Sequence, residues 1–240
     1  KSNVISQKQA GYVAIGIKVA LGDFYTDKAR ALADLIKNYG ANELRFTLRQ
    51  DILIRNIKEE NLPFFYQELA KLDFVTLGYN TINDVTACPG TDTCNLGIAS
   101  STGIAVELER VLATEYPQYS NNNEITIKIS GCMNACGQHN MAEIGFQGMS
   151  INSGKLVAPA LQVLLGGGNL GNGQGRFADK VIKIPSRRGP EALRSILNDF
   201  EGNANGLAFL DYYDAKGEKY FFELLKPLSE TDNLTEEDFV

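Results

Sequence analysis

The stretch Thr86-Ala87-Cys88-Pro89-Gly90-Thr91-Asp92-Thr93-Cys94 and its distant partner Ser130-Gly131-Cys132-Met133-Asn134-Ala135-Cys136-Gly137 hold all four cysteines of a 240-residue chain. The cysteines form two close pairs, spaced C-x5-C and C-x3-C. Each pair follows a segment that reads as a strand. Ile82 to Ala87 leads into the first, and Glu124 to Ser130, with its clean alternation EITIKIS, delivers the second. Loops that leave neighbouring strands emerge at the same end of a sheet, where open α/β sheets place their sites. The pattern predicts an α/β sheet with a four-thiolate centre at one end.

Thiolates favour zinc or iron–sulfur clusters. Zinc sites usually bring about two to four intervening residues within a pair. A loop of five containing Pro89 and Gly90 is wide for zinc. It suits a cubane cluster better, because the separate iron atoms spread the ligands apart. A structural zinc site stays open as an alternative, as do buried or oxidised cysteines with no ligand role.

Outward from the cysteines, composition sets bounds. Hydrophobic residues make up 44% and charged residues 22%, as in an ordinary globular protein. The net charge of −6 argues against nucleic acid as a partner, since phosphate binding needs a basic surface. No apolar run approaches the ~18–20 residues that span a bilayer, and no signal peptide is visible at the start. A mildly acidic chain of this kind reads as a cytoplasmic enzyme, where disulfides are rare and clustered cysteines read first as metal ligands. The chain starts at Lys1 and ends in the acidic segment 231–240. Both ends read as cut points of a longer protein.

Before the cysteines, Gly11 to Ala20 alternates as a strand. Thr26 is placed to cap a helix through Tyr39, which Gly40 ends. Leu44 to Leu48 and Ile52 to Ile57 read as short strands. Asn61 and Pro63 open a helix to Leu72. Strand, helix, strand, strand, helix is most of a ferredoxin-like sandwich. After the first cysteine pair, Asn95 to Leu112 reads as a helix. Ile144 to Ile151, Leu161 to Leu165 and Val181 to Ile184 read as strands, Gly166 to Gly175 as a glycine-rich loop, and Pro190 to Phe200 as a helix. Leu207 to Leu225 reads as partly helical with a break at Gly217. The expected fold class is α/β (α+β). A ferredoxin-like half-domain over 1–78 precedes a mixed-sheet α/β domain over 79–228 that carries the site, and 229–240 is an acidic tail.

The two cysteine motifs resemble those of the sirohaem-dependent nitrite and sulfite reductases, and so does Met141-Ala142-Glu143-Ile144-Gly145-Phe146-Gln147-Gly148 after them. The resemblance covers nearly the whole chain and matches the C-terminal half of a duplicated polypeptide. It implies a [4Fe–4S] cluster on Cys88, Cys94, Cys132 and Cys136, with Cys136 also the proximal ligand of sirohaem. It implies a six-electron reduction of nitrite to ammonia or sulfite to sulfide, fed by a ferredoxin or a flavoprotein. The N-terminal half of the same polypeptide would supply the distal face that meets the substrate, so no catalytic residue is assigned within this chain. Met133 stands where the family often has Pro, a change in loop stiffness more than in ligation. Two other readings differ in kind: an electron-transfer module with a cluster alone, or a structural zinc domain.

Around the cysteines, the resemblance makes Arg45 and Arg49 candidates for sirohaem carboxylates, through the bidentate guanidinium fork. Thr47 and Gln50 share that surface, and a solvated strand edge is the plain alternative. Asn134 and Gln138 are candidates for hydrogen bonds to cluster sulfur or porphyrin carboxylate, against simple loop capping. His139, the lone histidine, reads as cluster periphery rather than ligand. The glycine-rich stretch matches no phosphate-binding motif. Arg187-Arg188 reads as an exposed helix entry with some capacity to hold an anion.

Overall fold

The computed structural model describes residues 3–40, 43–232 and 234–239. It divides into two units, 1–84 and 85–240.

In the first unit β1 (Val4–Ser6), β2 (Tyr12–Ile17), β3 (Leu44–Phe46) and β4 (Ile52–Lys58) form one antiparallel sheet in the order β1-β2-β4-β3. Helices α1 (Thr26–Tyr39) and α2 (Leu62–Lys71) supply Leu32, Leu35, Ile36, Phe65 and Leu69 to a core shared with Val13, Ile15, Ile17, Ile52, Ile54 and Ile57. This is the expected ferredoxin-like arrangement, with one difference. The edge strand beside β2 comes from the N-terminal Val4–Ser6, three residues too short to show a period. The helix starts also differ. Thr26 is already helical behind the N-cap Tyr25, and Asn61 precedes α2 without a side-chain capping bond.

The end of this unit is tied to the sheet by a polar knot. Val19 N–H donates to Asp51 Oδ1 at 2.8 Å, Lys18 Nζ to Asn83 O, and Arg49 Nη1 to Thr81 O at 3.1 Å. Gly16 leaves room for the Tyr79 ring, whose carbon would lie 2.4 Å from a β-carbon there. Asp51 is fully buried and meets the buried Asp84. Burial, and then the hydrogen bond and charge of Asp84, push the Asp51 carboxyl up to about 8, so Asp51 holds its proton at neutral pH.

The second unit is built on a mixed sheet of β5 (Thr86–Ala87), β6 (Ile127–Ser130), β7 (Ile144–Ser153), β8 (Leu156–Leu165) and β11 (Asp179–Pro185), ordered β11-β8-β7-β6-β5. β5, β6 and β7 run parallel, while β8 and β11 are antiparallel to their neighbours. Between β5 and β6 runs α3 (Ser101–Glu115), which buries Ala105, Leu108, Val111 and Leu112. Helix α4 (Gly189–Asn203) adds Ala192, Leu193, Ile196 and Leu197. α5 (Phe209–Lys216) and α6 (Glu218–Leu225) meet at Gly217, the expected break. Their rings join Phe200 in one aromatic cluster, with Tyr213 stacked on Phe221 at 5.3 Å. No described helix is long and apolar enough to cross a membrane.

Two expectations are corrected here. The helix after the first cysteine pair begins at Ser101, not Asn95, because Ile98 and Ala99 give their N–H groups to Gly131 O at 2.8 and 3.1 Å. Ser100 then caps the helix by accepting from Gly103 N. The glycine-rich stretch is not a loop but a hairpin, β9 (Gly168–Gly171) and β10 (Gln174–Arg176). Asn172 and Gly173, with φ of 50° and 76°, turn it, a signal that the Asn-Gly pair carried in the sequence.

Raising pH from about 4 to about 8 should erode the stability of this protein through Asp51. Its folded-state affinity for a proton exceeds that of the unfolded chain, so the contribution is present at low pH and lost as pH climbs through about 8. Asp51→Asn keeps an acceptor for Val19 and offers an N–H to Asp84. Denaturant melts across that range should show a flatter pH profile than the parent; an unchanged slope would exclude a proton held on Asp51.

Candidate functional site

The parallel pairing of β5 with β6, in register Thr86↔Lys128 and Ala87↔Ile129, sends both cysteine loops out at one end of the sheet. Cys88 N–H continues the ladder to Ile129 O at 3.2 Å. All four thiols are free. Cys132 is buried, Cys88 half-buried, and Cys94 and Cys136 are exposed.

The loops cross at backbone distance. An added β-carbon on Gly131 would lie 2.8 Å from both Ala99 O and Gly90 Cα. One on Gly97 would lie 2.8 Å from Gly90 C, and one on Gly148 in β7 only 2.1 Å from Gly131 O. Gly90 turns at φ +52°, and a side chain there would strike Ser101 Oγ at 2.2 Å. Four glycines from four segments thus stack where no β-carbon fits. The close approach lets Gly131 N–H donate to Cys88 Sγ at 3.1 Å. An amide aimed at a sulfur is the kind of contact that tunes a cluster.

Ser101 was invisible to sequence reasoning, yet it is fully buried and its Oγ donates to Cys88 O at 2.6 Å. It also lies 3.5 Å from Cys88 Sγ. Its only signal was its place next to the helix-capping Ser100. The second loop is closed by Ser130 Oγ, which accepts from Gly137 N at 3.0 Å.

The supporting candidates divide. Asn134 is exposed on the loop. Gln138, left-handed at φ 57°, accepts a hydrogen bond from Lys128 Nζ at 2.7 Å. In the first unit Arg45 is exposed on β3, whereas Arg49 is half-buried and tied to Thr81 O. His139 is buried, and its Nδ1 lacks a hydrogen-bond partner. Burial pushes its imidazole below the ordinary histidine range, which keeps it neutral. Arg188 Nη1 holds Leu228 O at 2.9 Å and Glu230 O at 2.6 Å, so this arginine anchors the C-terminal segment. Arg187 lines a cavity of about 700 Å³ with Thr91, Ile98 and Arg194.

Among the described residues, no three His, Cys, Asp or Glu side chains gather closely enough to share one metal ion. A cubane does not require that convergence, since each thiolate takes its own iron. Four free thiols on two crossing loops, with an amide already on one sulfur, fit an iron–sulfur cluster.

Comparison with known proteins agrees. Residues 5–72 match the nitrite/sulfite reductase ferredoxin-like half domain, and residues 78–221 match the nitrite and sulphite reductase 4Fe-4S domain. The chain belongs to the nitrite and sulfite reductase family. The matched 4Fe-4S domain spans all four cysteines. The assimilatory ferredoxin-dependent nitrite reductase of Haloferax mediterranei is 26% identical over 95% of this chain and 39% of its own length. The sulfite reductase [ferredoxin] 2 of Mycolicibacterium paratuberculosis is 29% identical over 71% of this chain and 31% of its own. The solved structure of the NirA protein of Mycobacterium tuberculosis superposes with a TM-score of 0.74 at 25% identity, covering 91% of this chain and 41% of that one. The chain therefore spans about a third to two-fifths of the length of these relatives.

Gly131→Ala and Gly148→Ala should each cost about 1–3 kcal/mol through overpacking and lower iron and sulfide per chain severalfold. Gly202 in α4 has nothing within 4 Å of an added β-carbon. Gly202→Ala should leave iron and sulfide unchanged and stabilise by about 0.5–1 kcal/mol. Iron and sulfide analysis with thermal melts compares the three.

Proposed function

We propose that this chain is the cofactor-bearing part of a ferredoxin-dependent nitrite or sulfite reductase. Cys88, Cys94 and Cys132 would hold the [4Fe–4S] cluster, and Cys136 would serve both cluster and sirohaem. The observation that carries the reading is the pair of cysteine loops at one end of parallel β5 and β6, joined by the Gly131 amide on Cys88 sulfur. The relatives' names supply both anions and the ferredoxin donor.

When bound, the cofactors would supply one-electron transfer and an iron at which the anion is reduced. The chain's own residues do the rest. The buried Cys132 and the closed glycine crossing keep water from one side of the loops. The exposed Cys94 and Cys136 face outward, as ligands completed by a large group must. Asn134, exposed two residues before Cys136, would offer its amide to a carboxylate or a sulfide. Arg45 offers a two-pronged donor to a carboxylate of sirohaem. Arg49 has one nitrogen engaged by Thr81 O, which orients the remaining guanidinium edge. The cations that bind the anion and supply its protons would come from the N-terminal half of the same polypeptide.

The full-length enzyme, produced together with sirohaem synthesis, should show both cluster and sirohaem in its ultraviolet–visible and EPR spectra. With a reduced dye it should turn nitrite into ammonia or sulfite into sulfide. Iron and sulfide without red-region absorption would favour a cluster-only electron carrier, and zinc without iron a structural zinc domain. Arg45→Ala should lower sirohaem occupancy severalfold while cluster iron and sulfide stay at parental levels; equal sirohaem occupancy would remove Arg45 from the site.

A further inference from the structure

A buried lysine sits beneath the second cysteine loop. Lys128 lies on β6, the strand that delivers the loop, and is only 9% exposed. Lysine is rarely buried, because its charge must be desolvated and its long side chain immobilised. Its Nζ donates across the base of the loop to Gln138 Oε1 at 2.7 Å. Beside it, Ser130 Oγ accepts from Gly137 N at 3.0 Å. The two contacts are adjacent rungs from β6 to the limb that follows Cys136. The turn around Cys136 is strained: Ala135 before it and Gln138 after it both take left-handed backbone at φ 57°, a conformation that persists when its surroundings hold it. Gly137 between them cannot carry a side chain, since its β-carbon would meet Ile129 O at 2.0 Å.

We infer that Lys128 is a positioning residue for Cys136 and a fixed positive charge for the redox centre; this rests on the cluster reading above. Its hydrogen bond holds the left-handed turn at Gln138, which sets the direction of the Cys136 thiolate two residues earlier. Its ammonium lies in a poorly screened interior next to that turn. A cation there stabilises the more negative, reduced state of a thiolate-bound cluster. The lysine thereby makes the centre easier to reduce by its donor.

The test uses the full-length holoenzyme with Lys128→Gln, Lys128→Met and Lys128→Arg. Cluster and sirohaem content are measured per chain, and the cluster potential by EPR-monitored redox titration. Lys128→Gln keeps a donor for Gln138 without the charge. It should retain both cofactors and shift the reduced-to-oxidised ratio at fixed potential at least tenfold toward oxidised, which is about 59 mV for a one-electron couple. Lys128→Met loses donor and charge and should also lose sirohaem severalfold. Lys128→Arg should restore potential and occupancy. A fully loaded parent with unchanged potential in Lys128→Gln overturns the electrostatic role. Unchanged sirohaem in Lys128→Met overturns the positioning role. A parent without cluster signals overturns the cluster reading and this inference together.

Discussion

The site depends on a steric constraint: four backbone segments pass one another with no room for a β-carbon. Gly90, Gly97, Gly131 and Gly148 come from the first cysteine loop, the segment after it, the second cysteine loop and β7. Backbone packing at that distance puts an amide on a sulfur, Gly131 N to Cys88 Sγ, and turns Ile98 and Ala99 N–H groups toward Gly131 O. Those bonds delay the start of α3, and the delay lets Ser101 sit buried against Cys88. The loop conformation, the helix boundary and the sulfur's hydrogen bond are one consequence of small residues at one crossing.

Around that crossing the sheet is a delivery device. Only three of its five strands run parallel, and those are the ones whose ends or faces meet the cysteine loops. The antiparallel β8 and β11 extend the apolar layer on which α4 and the aromatic cluster pack. The division follows from connectivity. A crossover helix such as α3 is needed to bring a second strand back in the same direction, whereas the β7–β8 hairpin only widens the sheet.

The two units handle buried charge differently. In the first, two carboxyls meet and Asp51 is pushed toward its neutral form, so desolvation is avoided by holding a proton. In the second, Lys128 keeps a hydrogen-bonded place under a loop built of cysteines and glycines. A negative centre nearby would offset the cost of burying that ammonium, whereas a second carboxyl leaves Asp51 no such partner.

Much of this was legible in residue order. The four cysteines, their spacing, the alternation of EITIKIS and the helical period of α1, α2 and α4 were enough for an α/β chain with a thiolate site, because spacing and period are local properties. Asn172-Gly173 also held its turn in plain view. Other features were decided by tertiary structure. The edge strand Val4–Ser6 exists only because β2 offers it a partner. The start of α3 depends on one acceptor, Gly131 O, far along the chain in the second loop. Ser101, Lys128 and Asp51 gained their roles from burial against groups distant in sequence, which no window along the chain reports. The sequence by itself determined which thiols are the candidates to bind a cofactor and that two strands would carry them; the fold alone decided that those strands are parallel neighbours, since hydrogen-bond pairing between strands is a long-range choice made by packing.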